Sequence, residues 1–216
     1  MNSGLMPEAS MKTHAILRPL IGLLIGLFCV FGMSRPLAPP HHDLSANQLI
    51  WYWEGGSQLN HSVFEDMITE VIDAMPIVPY RQDLIRLLTE TAATESSFGL
   101  IVRDKSGKTL GVYQILLTTA EFLLKKLHTY PHVLNIVEAY MDPGKSLAEN
   151  LTYNLHFQTA MAISYYWLRA GDDLLEQAST LHSRAKLYKL KWNTPRGKAT
   201  EAKYIRDSKR YLVSER

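Results

Sequence analysis

The stretch that decides the fold of this chain is Thr94-Glu95-Ser96-Ser97-Phe98-Gly99, which follows a predicted helix over 81–94. In that helix Leu84, Leu88 and Thr91 recur at the spacing i, i+4 and i+7, and Glu95 at i+11 continues the same stripe. At about 100° per residue, these positions share one face of a helix. A glutamate therefore stands where the pattern predicts a leucine.

The position of Glu95 has a chemical consequence. A carboxyl at the inner edge of an apolar face loses hydration of its charged form, which raises its pKa toward neutral pH. A raised pKa lets the carboxyl hold and donate a proton, as the general acid of a glycosidase must. Glu90 falls on roughly the opposite face of the helix, so we expect its carboxylate to be solvated.

A second motif, Gly111-Val112-Tyr113-Gln114-Ile115, follows a polar loop over 103–108, and Thr119-Ala120 comes soon after it. Together with Glu95-Ser96 and Phe98, these motifs resemble the lytic transglycosylase branch of the lysozyme superfamily, goose-type lysozyme included. That family reads Glu-Ser, a short polar loop, Gly-Leu-Met-Gln, and then Thr-Ala opening a helix. The resemblance covers 81–212 with gaps. The loop is about one residue longer than in the family, which a surface loop tolerates.

Only the short stretch 110–115 shows strand alternation, so the sequence predicts a mainly α domain with at most a small β element there. The resemblance implies that this domain is lysozyme-like. It implies that Glu95 acts as general acid and then as base, with Ser96 as its local hydrogen-bond partner. Gln114 and the Gly111 turn would form a wall on the substrate side. The remaining substrate-binding residues that it implies are Tyr113, Trp192, Asn193 and Tyr204. It implies no cofactor.

Trp192 departs from the family, which has a tyrosine at this place in an Ala-Tyr-Asn motif. Tyr204-Ile205 stands where the family has a Tyr-Val pair. The family's tyrosines contact the catalytic carboxyl or the sugar next to it. Indole has one N–H donor and no acceptor, so it cannot reproduce the hydrogen bond of a phenol. We therefore expect Tyr204 or Tyr113 to supply the phenol, or activity to be reduced.

The number of candidate carboxylates bears on the reaction. Glycosidases normally pair an acid with a second carboxylate, and near the motif only Asp104 and Glu121 are candidates. One carboxyl suffices in a lytic transglycosylase, which cleaves the bond between N-acetylmuramic acid and N-acetylglucosamine and leaves a 1,6-anhydro product. The alternatives are a hydrolytic lysozyme that uses water held by Asp104 or Glu121, and a non-catalytic glycan-binding envelope or assembly protein.

The N-terminal part predicts export. Lys12 and Arg18 precede fifteen residues without a charge, 19–33, which are shorter than the roughly 20 that cross a bilayer. We interpret 1–35 as a signal peptide or membrane anchor, 36–45 as a proline-rich linker, and 46–216 as the lysozyme-like domain. The domain is then expected in the periplasm, or anchored in the inner membrane and facing the cell wall. A buried helix segment is the alternative for the apolar run.

Charge and metal ligands limit the partners. From Arg184 to the end, eleven Lys and Arg stand against three acidic residues, a net charge of +8. This can be a solvated helical face, a rim for an anionic glycan-peptide polymer, or, least in keeping with export, a nucleic-acid surface. Envelope or secretion-machinery proteins are further candidate partners. His41 and His42 lie in the linker without a matching Cys or His cluster, so we expect no metal site.

Helix boundaries follow from capping signals. Ser62 to Glu65 and Thr118 to Glu121 read as capping boxes that open helices. A third box, Ser146 to Glu149, predicts a helix over 147–170 that ends at Gly171.

Overall fold

The computed structural model describes residues 59–75, 81–171, 178–195 and 197–212, which all belong to a compact unit spanning Pro39–Arg216. The expected leader, the linker with its two histidines and the apolar run 19–33 lie outside the described residues. Within the described part of the chain, no helix has the length and apolar character needed to cross a membrane.

Helices dominate the described residues, as the sequence predicts, and two short strands form the β element. In chain order the elements are α1 (His61–Ala74), α2 (Arg81–Ser96), β1 (Thr109–Leu110), β2 (Ile115–Leu116), α3 (Leu117–Leu127), α4 (Pro131–Ala139), α5 (Leu147–Tyr153), α6 (Leu155–Ala170), α7 (Leu181–Leu187), a π-helical turn (Tyr188–Trp192) and α8 (Glu201–Leu212). The mainly α fold class is confirmed.

The core is built around α6. Ten of its residues are buried, including polar ones such as Gln158 and Thr159, and α1, α2, α3, α4 and the π-helical turn all contact it. A helix that is buried on most sides must be central, because a surface helix hides only one stripe. α2 packs against α1 and α6, and α8 packs along α2, so α2 is enclosed on more than one side.

The capping predictions have mixed outcomes. The box at Ser62 is wrong, because α1 begins at His61 and the side chain of Asn60 accepts the hydrogen bond from the Val63 backbone N–H. The box at Thr118 is also wrong, since α3 begins at Leu117 and has no side-chain cap. Both true starts lie one residue before the predicted cap. In each case the residue predicted as the cap lies inside the first turn of the helix and not before it.

The box at Ser146 is confirmed, with both of its reciprocal hydrogen bonds to Glu149 present. The predicted helix 147–170 is divided at Asn154, whose extended ψ of 97° interrupts the helix. The Asn154 carboxamide accepts a hydrogen bond from Phe157 N–H and donates to the Tyr140 carbonyl, so it caps α6 and ties it to the end of α4. Gly171 ends α6 with a φ of 68°, as predicted.

The strands form a tight antiparallel hairpin in which Thr109 pairs with Leu116 and Leu110 with Ile115. Gly111 begins the turn with a φ of 74°. A Cβ there would lie 2.1 Å from both the Gln158 Oε1 and the Leu151 carbonyl oxygen. Only glycine allows the hairpin to approach α5 and α6 this closely. The turn is fixed by Val112 N–H, which donates to Gln158 Oε1 at 2.7 Å.

Candidate active site

Glu95 lies in the last turn of α2, immediately before a left-handed turn of the backbone. Ser97, Phe98 and Gly99 have φ values of 53°, 59° and 88°, and the first two are unusual for residues with a side chain. The Phe98 ring is buried and packs edge-on against Phe64 at 5.3 Å between centroids. This packing holds the backbone in a conformation that would otherwise cost about 1–3 kcal/mol per residue. Such outliers cluster at functional sites.

Ser96 stabilises this turn. Its hydroxyl donates to the Ala92 carbonyl and accepts from Gly99 N–H, both at 2.9 Å. The side chain is fully buried. The expectation that Ser96 is a hydrogen-bond partner of the Glu95 carboxyl is therefore corrected: its hydroxyl bonds the backbone on either side of Glu95 and fixes where α2 ends.

The Glu95 carboxyl is partly buried and lies beside two aromatic side chains with polar hydrogens. The Tyr188 hydroxyl donates to Oε1 at 2.7 Å, and the Trp192 indole lies close enough to the carboxyl to lower its pKa. Burial raises the pKa of Glu95 above its usual value, and these two side chains together with the nearby Lys203 oppose the rise without reversing it. The raised pKa predicted from the apolar stripe is confirmed.

The phenol that faces Glu95 is Tyr188, and the expectation that Tyr204 or Tyr113 would supply it is wrong. The Tyr204 hydroxyl donates to Glu90 Oε2 at 3.0 Å, and the Tyr113 hydroxyl pairs with Thr159 at 3.3 Å. Tyr188 and Trp192 are the ends of the π-helical turn, whose Asn193 N–H donates to the Tyr188 carbonyl. The four-residue spacing of Tyr188 and Trp192 was the available signal, since it places both on one side of a helical segment.

Tyr188 is a constant donor. Burial, followed by the charge of Glu95, raises the pKa of its phenol far above the usual value. The ring is buried and lies against the ring of Tyr204 at 4.8 Å between centroids. Because the phenol keeps its proton, it can donate to the Glu95 carboxyl whether that group is protonated or ionised.

Glu90 is buried, which corrects the expectation that it is solvated. Arg184 Nε and Nη2 donate to its two carboxylate oxygens, each at 2.7 Å, and the two side chains are only 7% and 6% exposed. Arg184 Nη1 donates further to the Ala178 carbonyl. This bidentate pair joins α2 to α7, one helical turn before α7 runs into Tyr188. We call Glu90, Arg184 and the Tyr204 hydroxyl the buried clamp.

Lys203 brings a positive charge to the end of α2. Its ammonium donates to the Thr94 carbonyl and forms an ion pair with Asp207 at 2.7 Å. The carbonyl groups at a helix C-terminus carry partial negative charge, which a cation stabilises. Since Glu95 is the next residue along the chain, the same charge favours its ionised form.

The hairpin residues stand beside this site with defined structural roles. The Gln114 amide donates to the carbonyls of Ile101 and Gly111, and its oxygen accepts from the Thr109 hydroxyl. The backbone of Gln114 is left-handed, with a φ of 50°. The partly buried Gln114 side chain therefore braces the hairpin, and Tyr113 fills the core beneath it.

Trp192 is held by three aromatic neighbours. Its ring centroid lies 5.0 Å from that of Tyr166, 5.1 Å from Tyr165 and 6.1 Å from Tyr113. Asn193 follows it and donates from its amide to the Ala199 carbonyl at 2.7 Å. Asn193 thus closes the loop after the π-helical turn, while Trp192 links the carboxyl to the core.

Of the two candidates for a second carboxylate, Asp104 is hydrogen-bonded within its own loop and Glu121 is exposed. The Asp104 oxygens accept from the Ser106 hydroxyl and from the backbone of Lys108 and Thr109. These hydrogen bonds lower the pKa of Asp104 to about 2. Glu121 is exposed on the first turns of α3. Within 59–75, 81–171, 178–195 and 197–212, no three His, Cys, Asp or Glu side chains are grouped to hold a metal ion.

No protein-family model, no curated protein and no solved structure matches this chain.

Proposed function

We propose that this chain is a lysozyme-like lytic transglycosylase that cleaves the N-acetylmuramic acid to N-acetylglucosamine bond of peptidoglycan. The observation that carries the proposal is the environment of Glu95. A carboxyl with a raised pKa, at a strained helix end, accepts a hydrogen bond from a phenol and lies beside an indole. The motifs Glu95-Ser96 and Gly111 to Gln114 support the same proposal through their resemblance to the family.

In the proposed reaction Glu95 serves twice. Its protonated carboxyl gives its proton to the glycosidic oxygen as the bond from that oxygen to C1 of the muramoyl residue breaks. The resulting carboxylate accepts the proton of the muramoyl 6-hydroxyl, whose oxygen bonds to C1 and closes the 1,6-anhydro ring. Glu95 is then protonated again, so no cofactor is consumed. Tyr188 donates to the carboxylate formed after the first step and so stabilises its charge.

Two observations favour this reaction over hydrolysis. The Asp104 carboxylate is occupied by hydrogen bonds within its own loop, and Glu121 is exposed to solvent. A hydrolase of this type needs a second group that positions water. The substrate's own hydroxyl removes that need.

The test is a digest of purified peptidoglycan by the full-length chain, read by mass spectrometry, beside Glu95→Gln and the control Glu121→Gln. We expect anhydro-muropeptides from the wild type and the control, and a loss of about 10⁴-fold or more in rate for Glu95→Gln. Products with reducing ends would instead indicate a lysozyme. Binding without any cleavage, checked by zymography, would indicate a non-catalytic glycan-binding envelope or assembly protein.

The proposal places the domain on the cell-wall side of the inner membrane, either exported or anchored by 1–35. The basis is the order of Lys12, Arg18, an apolar run and a proline-rich linker. A reporter enzyme that works only after export, fused after His42, should be active. Activity of a cytoplasm-specific reporter at the same junction would contradict this location.

A further inference from the structure

A groove of about 480 Å³ lies between α3, the residues before α4 and the end of α6. Phe122, on the first turns of α3, is 63% exposed there, and Tyr130 is 37% exposed. Tyr130 is held edge-on against Trp167 at 4.9 Å between centroids. A phenylalanine this exposed contributes little hydrophobic free energy to folding. Exposed aromatic side chains that line a groove are typical of a binding surface.

The rim of the groove is positively charged. Lys126 and Arg169 line it, and none of the lining residues in the described part of the chain is acidic. Arg169 is oriented by Tyr165: its Nη1 donates to the Tyr165 hydroxyl, and its guanidinium lies 5.2 Å from the centre of that ring. An arginine oriented in this way has donors left for an incoming anion.

Two aromatic rings lie between the groove and Glu95. Tyr165 lines the groove and packs edge-on against Trp192 at 5.1 Å. The Trp192 indole in turn lies close enough to the Glu95 carboxyl to lower its pKa. A polymer that is bound at Glu95 and extends past these two rings would reach the groove.

We propose that this groove binds the carboxylate of a peptide stem on the peptidoglycan strand, with Lys126 and Arg169 as its cationic partners. The inference rests on the proposed function. The amino-sugar rings of the strand are neutral, and the carboxylates of the polymer belong to its lactyl-peptide stems, so a cationic groove selects the stems. Phe122 and Tyr130 supply apolar surface for the methyl groups of the stem.

The kinetic test compares two substrates: strands with free stem carboxylates and the same strands with those carboxylates amidated. The double variant Lys126→Gln, Arg169→Gln should lower the ratio of kcat/KM for free over amidated strands about tenfold. Lys125→Gln is the matched control, since Lys125 is exposed on the same helix and does not line the groove. Using the ratio cancels any indirect effect of Arg169 on Tyr165. An unchanged ratio in the double variant, or an equal drop in the control, would overturn the proposal.

A binding test separates this inference from the proposed reaction. Isothermal titration calorimetry on Glu95→Gln would compare N-acetylmuramoyl dipeptide with its form amidated at the terminal carboxylate. The free carboxylate should bind about tenfold more tightly, and adding Lys126→Gln and Arg169→Gln should abolish the difference. Equal affinities would refute stem recognition. If this preference is found while the wild type cleaves no strand, the stem site stands and the lytic reaction is refuted.

Discussion

Glu90→Gln tests the buried clamp without reference to any activity. The substitution removes the negative charge that faces Arg184, while the guanidinium remains only 6% exposed. Breaking a buried ion pair by neutralising one partner costs about 3–5 kcal/mol, because the remaining charge is left without compensation. Glutamine keeps one oxygen that can accept from Arg184 or Tyr204, so we expect the lower end, about 3 kcal/mol. That is a large part of a typical domain's 5–15 kcal/mol.

The assay is urea unfolding followed by far-ultraviolet circular dichroism at pH 7. Glu138→Gln is the control, because Glu138 is exposed on α4, and it should change the free energy of unfolding by less than about 0.5 kcal/mol. Glu90→Leu combined with Arg184→Met should recover most of the loss, since it removes both charges and keeps similar volumes. A loss below about 1 kcal/mol for Glu90→Gln would refute the view that the clamp is a buried pair.

Three further predictions concern Glu95 and its neighbours. The pKa of Glu95 in the folded state is raised, so the contribution of this carboxyl to stability is present below its ordinary pKa of 4.5 and is lost as pH rises through the folded-state pKa. Urea unfolding should therefore show Glu95→Gln to be more stable than the wild type at pH 8 and about equal to it at pH 4. Tyr188→Phe should shift the alkaline limb of the kcat/KM profile to higher pH and lower kcat about tenfold to a hundredfold, because it removes a hydrogen bond worth about 1.5–3 kcal/mol to the ionised carboxyl. Unchanged kinetics would show that Tyr188 is not part of the site. Lys203→Met should shift the same limb to higher pH, since it removes a charge that favours ionised Glu95, whereas Lys209→Met, at an exposed position of the same helix, should leave the limb in place.

The sequence alone predicted the part of the site that is local in the chain. The apolar stripe of α2 runs through Leu84 and Leu88, both fully buried, and so the partial burial of Glu95 follows from spacing within sixteen residues. The small β element expected near 110–115 is present as the hairpin at 109–116. These features depend on periodicity and turn residues, which neighbouring positions determine.

The error at Glu90 has a physical cause. A helical wheel assigns one buried face to a helix, but α2 is packed by α1 and α6 and also by α8. The second face is covered by residues more than ninety positions later, Arg184 and Tyr204. Nothing within α2 indicates that an arginine will arrive there. A long-range ion pair of this kind is visible only once the fold brings the segments together.

The error at Tyr188 is of a different kind. The resemblance indicated Trp192 and then Tyr204 or Tyr113, whereas the phenol is that of Tyr188, four residues before Trp192. A π-helical turn widens the backbone ring to an i to i+5 hydrogen bond, seen from Asn193 N–H to the Tyr188 carbonyl. The turn directs both Tyr188 and Trp192 to Glu95. Periodicity at 3.6 residues does not reveal where such a turn occurs.

The two glutamates of α2 owe their different chemistry to one arrangement. The segment 184–192 meets α2 twice, first through Arg184 on Glu90 and then through Tyr188 on Glu95. At the first contact a full positive charge pairs with both carboxylate oxygens of Glu90. At the second contact the donor is the neutral Tyr188 hydroxyl, so burial prevails and the pKa of Glu95 is raised. The Arg184–Glu90 ion pair fixes the position of the segment 184–192 against α2. That position brings the Tyr188 hydroxyl to the Glu95 carboxyl, where it influences the pKa of Glu95.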